Sequence, residues 1–181
     1  MLLDTPICDF GWQAPELDLP DAHGRMHTLD DHMGPGGILI AFICNHCPYV
    51  VAIADRLARD CTELMAAGIG VLAVMSNDYE SYPADSPENM LKFADQHGFG
   101  FPYLVDAQQS VARSYGAVCT PDFFGFNAQG GLQYRGRLDD LRMGTDGPRK
   151  RELVDAMLLI ASTGNGPAQQ TASMGCSIKW R

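Results

Sequence analysis

Apolar runs alternate with amphipathic stretches along most of the chain, and this alternation predicts strands and helices in turn. Residues 38–43 and 69–75 are apolar throughout, as expected for strands that are buried on both faces. Between them, apolar side chains recur every three or four residues from Val50 to Leu64, which predicts a long helix that starts at the preceding cysteines and ends at Gly68. This order favours two parallel strands joined by a helical crossover.

The second half of the chain predicts further elements of the same two kinds. Glycine in the segment 128–131 supplies the turn of an antiparallel hairpin. The predicted strands are 101–105, 122–127 and 132–137, and the predicted helices are 88–97, 107–115 and 149–160. Helices that cover a mixed central sheet follow from this order, so the fold class is α/β.

The two ends of the chain depart from the core pattern. Residues 14–33 predict a small hairpin around a turn at 21–24, while 163–173 is rich in glycine, proline and small polar residues and predicts a tail that Ile178 and Trp180 anchor. The expected organisation is one domain over residues 1–181, with an N-terminal extension over about 1–36 and a C-terminal tail over about 164–181.

Composition narrows the classes of function. With a formal net charge of -9, the chain offers no basic stripe for nucleic acid, because phosphate binding needs clustered Lys and Arg. No apolar run has the length of a membrane span, and the first residues do not resemble a secretion signal. We therefore expect a cytoplasmic protein that binds neither nucleic acid nor membrane.

The cysteines carry the chemistry that the sequence suggests. Only Cys44 and Cys47 are paired by spacing, and two cysteines two residues apart can close a disulfide within one turn. We expect Cys44 to face the N-terminus of the helix, where a thiol pKa falls from about 8.5 to roughly 3.5–7.5. Cys47 would then resolve the mixed disulfide, and the intervening Asn45 and His46 would tune the pair, since an imidazolium stabilises a nearby thiolate.

Two other interpretations of the cysteine pair stay open. Cys44, His46 and Cys47 would suit zinc in a non-catalytic metal-binding or interaction module, although a structural zinc site normally has four ligands and no second cluster follows at suitable spacing. A purely structural buried pair is the other alternative. We expect redox chemistry, with no cofactor and no metal.

Several motifs together resemble a known family. They are Ala14-Pro15-x-Leu17-x-Leu19, Cys44-Asn45-His46-Cys47-Pro48-Tyr49, Thr120-Pro121, Phe124-x-Phe126-x-x-x-Gly130, the segment from Tyr134 to Asp140 and the ending from Gly175 to Trp180. This arrangement resembles the thioredoxin superfamily and, within it, the peroxiredoxin-like proteins of AhpC/TSA type. The resemblance spans nearly the whole chain and implies a thioredoxin-like fold, with an N-terminal hairpin extension.

The resemblance also implies roles for individual residues. Cys44 attacks, Cys47 resolves, and Thr120 with a cis Pro121 faces the pair and binds the substrate backbone. The implied substrate is a protein disulfide, a small-molecule disulfide or a hydroperoxide. An external thiol then reduces the enzyme again. The resemblance is compatible with a monomer or a homodimer. The chain departs from typical peroxiredoxins, because Ile40 and Cys44 stand where their motif has proline and a hydroxyl residue; dithiol-disulfide exchange is the first expectation and thiol peroxidase activity the alternative.

The remaining candidates are auxiliary. Arg137 would act as a cation near the thiolate, and Cys119, next to Pro121, as a third redox thiol, although a small buried side chain is the favoured interpretation of Cys119. Cys8 and Cys176 lie in terminal segments that could pack together, with a resolving role for either as a weaker option. The histidines other than His46 show no ligand spacing and are expected at the surface.

Overall fold

The computed structural model describes all 181 residues. The strands are β1 (Leu2–Asp4), β2 (Asp18–Pro20), β3 (Met26–Thr28), β4 (Ile38–Phe42), β5 (Gly70–Met75), β6 (Tyr103–Val105), β7 (Cys119–Thr120), β8 (Asp122–Phe126), β9 (Leu132–Tyr134) and β10 (Met174–Ser177). The helices are α1 (Leu29–His32), α2 (Pro48–Val51), α3 (Ala54–Ala66), α4 (Pro87–His97), α5 (Ser110–Tyr115) and α6 (Glu152–Thr163), with a 3₁₀ turn at Pro83–Asp85.

A five-stranded sheet in the order β6-β5-β4-β8-β9 forms the centre of the molecule. Strand β4 pairs in parallel with β5 and antiparallel with β8, so Ile40 lies opposite Leu72 on one side and Phe124 on the other. All five residues of β4 are buried, because both faces of the sheet are covered. The predicted α/β architecture with a mixed sheet is confirmed.

The two faces of the sheet carry different layers. Leu57 of α3, Met90 of α4 and Met157 of α6 pack on the face that also contains the cysteine pair. On the opposite face, Tyr115 of α5 and Leu17 of the N-terminal extension pack against the aromatic residues of β8. The predicted hairpin of that extension is present as β2 and β3.

The predicted long helix after the cysteines is divided into two. The backbone N–H of Ile53 donates to the Val50 carbonyl, a tight turn that separates α2 from α3. Pro48 occupies the first turn of α2, where its missing N–H costs nothing, and Cys47 is the N-cap. The helix therefore begins after the second cysteine.

The predicted C-terminal tail is ordered by a strand. β10 lies between β1 and β7 in a small antiparallel sheet, which the sequence pattern did not indicate. A Cβ on Gly175 would come within 2.0 Å of the Thr120 carbonyl oxygen, so the absence of a side chain permits this close approach. Ile178 is buried, as expected, whereas Trp180 is partly exposed and lies against the guanidinium of Arg113. No helix combines the length and apolar character needed to cross a membrane.

Candidate active site

The two paired cysteines lie where the central strand meets the first helix of the crossover. Cys44 follows β4 and Cys47 caps α2, and both side chains are buried, with 1% and 0% of their surface exposed. Both are free thiols that interact directly with each other. The two cysteines that are paired by their spacing in the sequence therefore lie at one site in the structure.

Thr120 contacts both cysteines from the opposite side of the site. Its Oγ1 lies 3.2 Å from Sγ of Cys44, and its carbonyl oxygen lies 3.1 Å from Sγ of Cys47. The peptide bond between Thr120 and Pro121 is cis. The expected placement of this dipeptide against the cysteine pair agrees with the structure.

Asp85 is a residue of the site that sequence reasoning missed. It comes from the 3₁₀ turn after β5 and is completely buried, yet its carboxylate accepts three hydrogen bonds. The donors are the backbone N–H of Asn45 at 2.8 Å, Nδ1 of His46 at 2.7 Å and Nδ2 of Asn77 at 2.8 Å. A buried carboxylate needs such partners, and here they orient both residues between the cysteines.

Asn45 and His46 are thereby held by their neighbours. The side chain of Asn45 accepts from the Tyr103 hydroxyl at 3.0 Å and donates to the carbonyl of Ala84. The partly exposed ring of His46 stacks on Tyr82. The two residues predicted to tune the pair are rigidly placed, and Asp85 brings a negative charge close to Cys44.

Of the two thiols, Cys47 is the one whose pKa is lowered. Hydrogen bonding from Cys44 is the largest cause, and the thiol and backbone of Cys176 and the backbone of Val50 add to it, lowering the pKa of Cys47 to about 4 against the opposing effect of burial. The Thr120 carbonyl favours the protonated sulfur, but it is one acceptor against several donors. Val50 is a donor here because its N–H lies in the first turn of α2.

The pKa of Cys44 moves in the opposite direction. Its hydrogen bond to Cys47, its burial and the negative charge of Asp85, in this order, raise its pKa well above the usual value for a thiol. This differs from the expectation that Cys44 would be the anion at a helix N-terminus. The physical reason is the position of the helix: α2 begins at Pro48 with Cys47 as its N-cap, and the N–H groups of Val50 and Val51 donate to the Cys47 carbonyl, so Cys44 does not lie at the helix N-terminus.

The other candidate residues are Arg137, Cys119 and Cys8. Arg137 makes two hydrogen bonds of 2.8 Å to Glu152 and is engaged there. Cys119 is fully buried, and this burial raises its pKa to about 12, which agrees with the interpretation as a packing residue. The two terminal segments pack together through β1 and β10, while Cys8 lies beside Gln170 and Arg135.

Not all of the histidines that were expected at the surface are fully exposed. His27 hydrogen bonds to both His32 and Asp21, while His97 hydrogen bonds to Asp55 and has only 10% of its side chain exposed. A further set, Cys44, His46 and Asp85, has ligand atoms within 4.8 Å of one another. These three are already engaged in the hydrogen bonds described above and are fewer than the four ligands of a structural zinc site.

A groove of about 660 Å³ runs beside the cis proline. Pro121 and Phe123 form part of its floor, and Tyr49, Ile53 and Met174 contribute apolar surface along its sides. Such a mixed, largely apolar groove next to reactive groups has the character of a binding site for an extended substrate.

Comparison with protein families identifies relatives of this chain. The model of the AhpC/TSA family matches residues 10–135. A putative peroxiredoxin from Mycobacterium tuberculosis is 28% identical over 120 residues, which cover 66% of this chain and 71% of that protein. The thiol-disulfide oxidoreductase ResA of Geobacillus thermodenitrificans is also 28% identical over 120 residues, 63% of this chain and 61% of that protein.

Solved structures show the same fold at higher similarity. An uncharacterized conserved protein from Geobacillus kaustophilus is 39% identical with a TM-score of 0.93, covering 100% of this chain and 97% of its own. A hypothetical protein from Sinorhizobium meliloti is 37% identical with a TM-score of 0.92, covering 98% and 97%. The peroxidoxin BcpB of Mycobacterium tuberculosis, at 18% identity, a TM-score of 0.55 and coverage of 84% and 92%, shares the fold alone, and the predicted thioredoxin-like fold is confirmed.

Proposed function

Because the chain belongs to the AhpC/TSA family, we propose that it is a thiol-disulfide oxidoreductase that works through Cys44 and Cys47. The observation that carries this proposal is the placement of two free thiols at the end of a buried strand, where both sulfurs contact Thr120 next to the cis Pro121. A thiolate beside a thiol is the arrangement that thiol-disulfide exchange requires.

The reaction begins with the Cys47 thiolate, since the thiolate is the nucleophile in such exchange. Its sulfur bonds to one sulfur of the substrate disulfide, and the substrate S–S bond breaks with its electron pair leaving on the other sulfur. The Cys44 sulfur then bonds to Cys47 and displaces the remaining substrate thiolate, which takes up the proton of Cys44. The substrate gains two electrons, and the enzyme is left with a disulfide that an external thiol must reduce.

Neighbouring residues prepare this exchange in different ways. Asn45 and His46 keep the cysteine segment in place through Asp85, and Asp85 keeps Cys44 protonated until its proton is needed. The Thr120 hydroxyl supports the Cys44 sulfur. Because the Thr120 backbone already pairs with β10, we assign the substrate contact mainly to Pro121 and the groove beside it.

A single-turnover experiment with hydroxyethyl disulfide tests the function. The reduced wild-type protein is expected to release two thiols per chain and to form a Cys44–Cys47 disulfide. In the Cys44→Ser, Cys176→Ser double variant no thiol contacts Cys47, so one thiol is released and a mixed disulfide stays on Cys47, as mass spectrometry would show. Cys47→Ser should not react, and Cys8→Ser should behave as wild type. Equal reaction of all variants would contradict the proposal.

The low pKa of Cys47 also favours a second candidate function, reduction of hydroperoxides. A deprotonated cysteine is what attack on a peroxide bond needs, and a relative of this chain is a putative peroxiredoxin. Stoichiometric hydrogen peroxide and a sulfenic-acid probe distinguish the two functions. Rapid labelling of Cys47 in the double variant would support peroxidase activity, and no labelling together with hydroxyethyl disulfide turnover would exclude it.

A further inference from the structure

A third thiol, Cys176 of β10, touches the buried pair, and neither the mechanism above nor the motif around Cys44 uses it. We infer that Cys176 is a redox residue that takes over the disulfide from the buried pair and presents it to the external thiol that reduces the enzyme. This inference rests on the proposed function and extends it to the recycling half of the reaction.

The chain's last strand places Cys176 against the site. Cys176 lies opposite Thr120 in the antiparallel pairing of β10 with β7, and Thr120 is the residue that contacts both sulfurs of the pair. Cys176 packs against the core cluster that contains Cys44 and Cys47, and its thiol and backbone lower the pKa of Cys47. Cys47 therefore has a thiol on each side, Cys44 and Cys176.

The three thiols differ in how a partner can reach them. Cys44 and Cys47 are almost completely buried, whereas Cys176 is only partly buried. A small disulfide or peroxide can enter where a protein cannot. A protein dithiol needs an accessible sulfur to attack, and Cys176 is the one in contact with the pair that has exposed surface.

Transfer of the disulfide is balanced without any further reagent. The Cys176 thiolate attacks Sγ of Cys47 in the Cys44–Cys47 disulfide, a Cys47–Cys176 bond forms, and the Cys44–Cys47 bond breaks with its electron pair on Cys44. Cys44 takes up the proton that Cys176 gives up, so the number of disulfides is unchanged. A thiolate of an external dithiol then attacks Sγ of Cys176, which releases the Cys47 thiolate and leaves a mixed disulfide on Cys176. The second thiol of that dithiol attacks its own partner sulfur, so the dithiol leaves as a disulfide and Cys176 regains its thiol with the proton that this step releases.

The charges around Cys176 favour this order of events. Burial, and then the hydrogen bond and negative charge of Cys47, raise the pKa of Cys176 to about 11, while Lys179 and the N-terminal amine act in the opposite direction. Once Cys47 is part of a disulfide, its charge is gone and two of the three effects that raise this pKa disappear. Oxidation of the pair thus makes Cys176 easier to ionise.

Disulfide mapping tests the transfer directly. After oxidation with hydroxyethyl disulfide, alkylation and trypsin digestion, Cys44 and Cys47 lie in the peptide 26–56 and Cys176 in the peptide 152–179. In Cys44→Ser we expect a cross-link between these two peptides, and in Cys47→Ser none. The matched control Cys44→Ser, Cys8→Ser should retain the cross-link, since Cys8 lies elsewhere.

Recycling of the oxidised enzyme provides the second readout. Cys176→Ser should still form the Cys44–Cys47 disulfide with hydroxyethyl disulfide and be reduced by dithiothreitol, but lose its reduction by reduced thioredoxin used as the protein dithiol. A missing cross-link in Cys44→Ser, or undiminished reduction of Cys176→Ser by thioredoxin, would overturn the inference. If the proposed function itself fails, the wild-type protein forms no Cys44–Cys47 disulfide at all, which is a separate result.

Discussion

Single residues decide where the charge of the site lies. Cys44 and Cys47 have the same side chain and similar burial, yet their pKa values move in opposite directions because their neighbours differ. Cys44 and Cys176 lower the pKa of Cys47, whereas the negative charge of Asp85 raises the pKa of Cys44. The surrounding groups, and not the order of the two cysteines in the motif, therefore determine which thiol has the lower pKa.

The first prediction concerns the protonation of the pair. One thiolate should persist down to about pH 4 in the ultraviolet absorbance of the reduced protein. It should be lost in Cys47→Ser and kept in Cys8→Ser. Because the folded-state pKa lies below the unfolded value of about 9, this thiolate stabilises the fold fully above that pH, and its contribution is lost as the pH falls toward 4. A thiolate that instead survives in Cys47→Ser and disappears in Cys44→Ser would reverse the assignment.

The second prediction concerns Asp85. Asp85→Asn leaves one acceptor oxygen for three donors and removes the charge near Cys44, so we expect the free energy of unfolding to fall by about 1–3 kcal/mol. The Cys44 pKa should move down toward its ordinary value, as a second step in the thiol titration. The control is Glu88→Gln, an exposed carboxylate at the start of α4. Equal effects of the two substitutions on urea unfolding would show that the hydrogen bonds of Asp85 stabilise the fold no more than an exposed carboxylate does.

At the scale of elements, a network of ion pairs ties the segment before α6 to helix α3. Asp60 of α3 is buried and accepts from Arg149 at 2.6 and 2.8 Å and from Arg151 at 3.1 Å. Asp139 accepts from Arg56 at 2.8 Å and from Arg149 at 3.1 Å. This long segment has little regular structure, so the ion pairs determine how it packs beside the groove.

The third prediction concerns the ion pairs that join α3 to the segment before α6. Asp60→Asn leaves Arg149 without its bidentate partner in a largely buried place, and we expect a loss of about 3 kcal/mol in the free energy of unfolding. Glu63→Gln is the control, since Glu63 is half exposed and pairs only with Arg151, and it should cost less than about 1 kcal/mol. Chemical denaturation would compare the two variants, and similar losses in both would contradict the buried role of Asp60.

At the scale of the whole molecule, the two ends of the chain meet at the active site. β1 from the N-terminus and β7 before the cis proline flank β10 from the C-terminus. This small sheet places Cys176 opposite Thr120, the residue that contacts both sulfurs of the pair, and Cys176 packs against the same core cluster. The site is therefore complete only when the last strand is in place.

The fourth prediction tests how tightly β10 is seated. In Gly175→Ala the new methyl group would meet the Thr120 carbonyl, so the strand must shift, with an expected loss of about 1–3 kcal/mol in unfolding free energy. The shift should also weaken the Cys47–Cys176 cross-link. Gly100→Ala is the control, because its added Cβ would come no closer than 3.6 Å to another residue and should change stability by less than about 0.5 kcal/mol. An unchanged cross-link and unchanged stability in Gly175→Ala would mean that the strand is loosely held.

Local patterns were sufficient for the central elements and for the reactive pair. The apolar runs of β4 and β5 and the spacing of Cys44 and Cys47 are properties of neighbouring residues, so the sequence alone indicated the α/β class and the redox chemistry. Asp85 could not be found in this way, because the polar stretch that contains it gives no sign of which side chain turns inward. A carboxylate just before the Ser-Pro start of a helix was the available signal, and it does not identify a partner.

The sequence by itself determined which segments are buried strands, which residues can react and that two thiols lie within one turn, since these depend on periodicity and spacing along the chain. Only the tertiary structure decided that the pKa of Cys47 is lowered and that of Cys44 raised, that Asp85 positions His46 and that Cys176 packs beside the pair. The physical reason is that a pKa and a contact depend on the groups that surround an atom in space. Here those groups come from α2, from the turn after β5 and from the final strand, and folding brings them together.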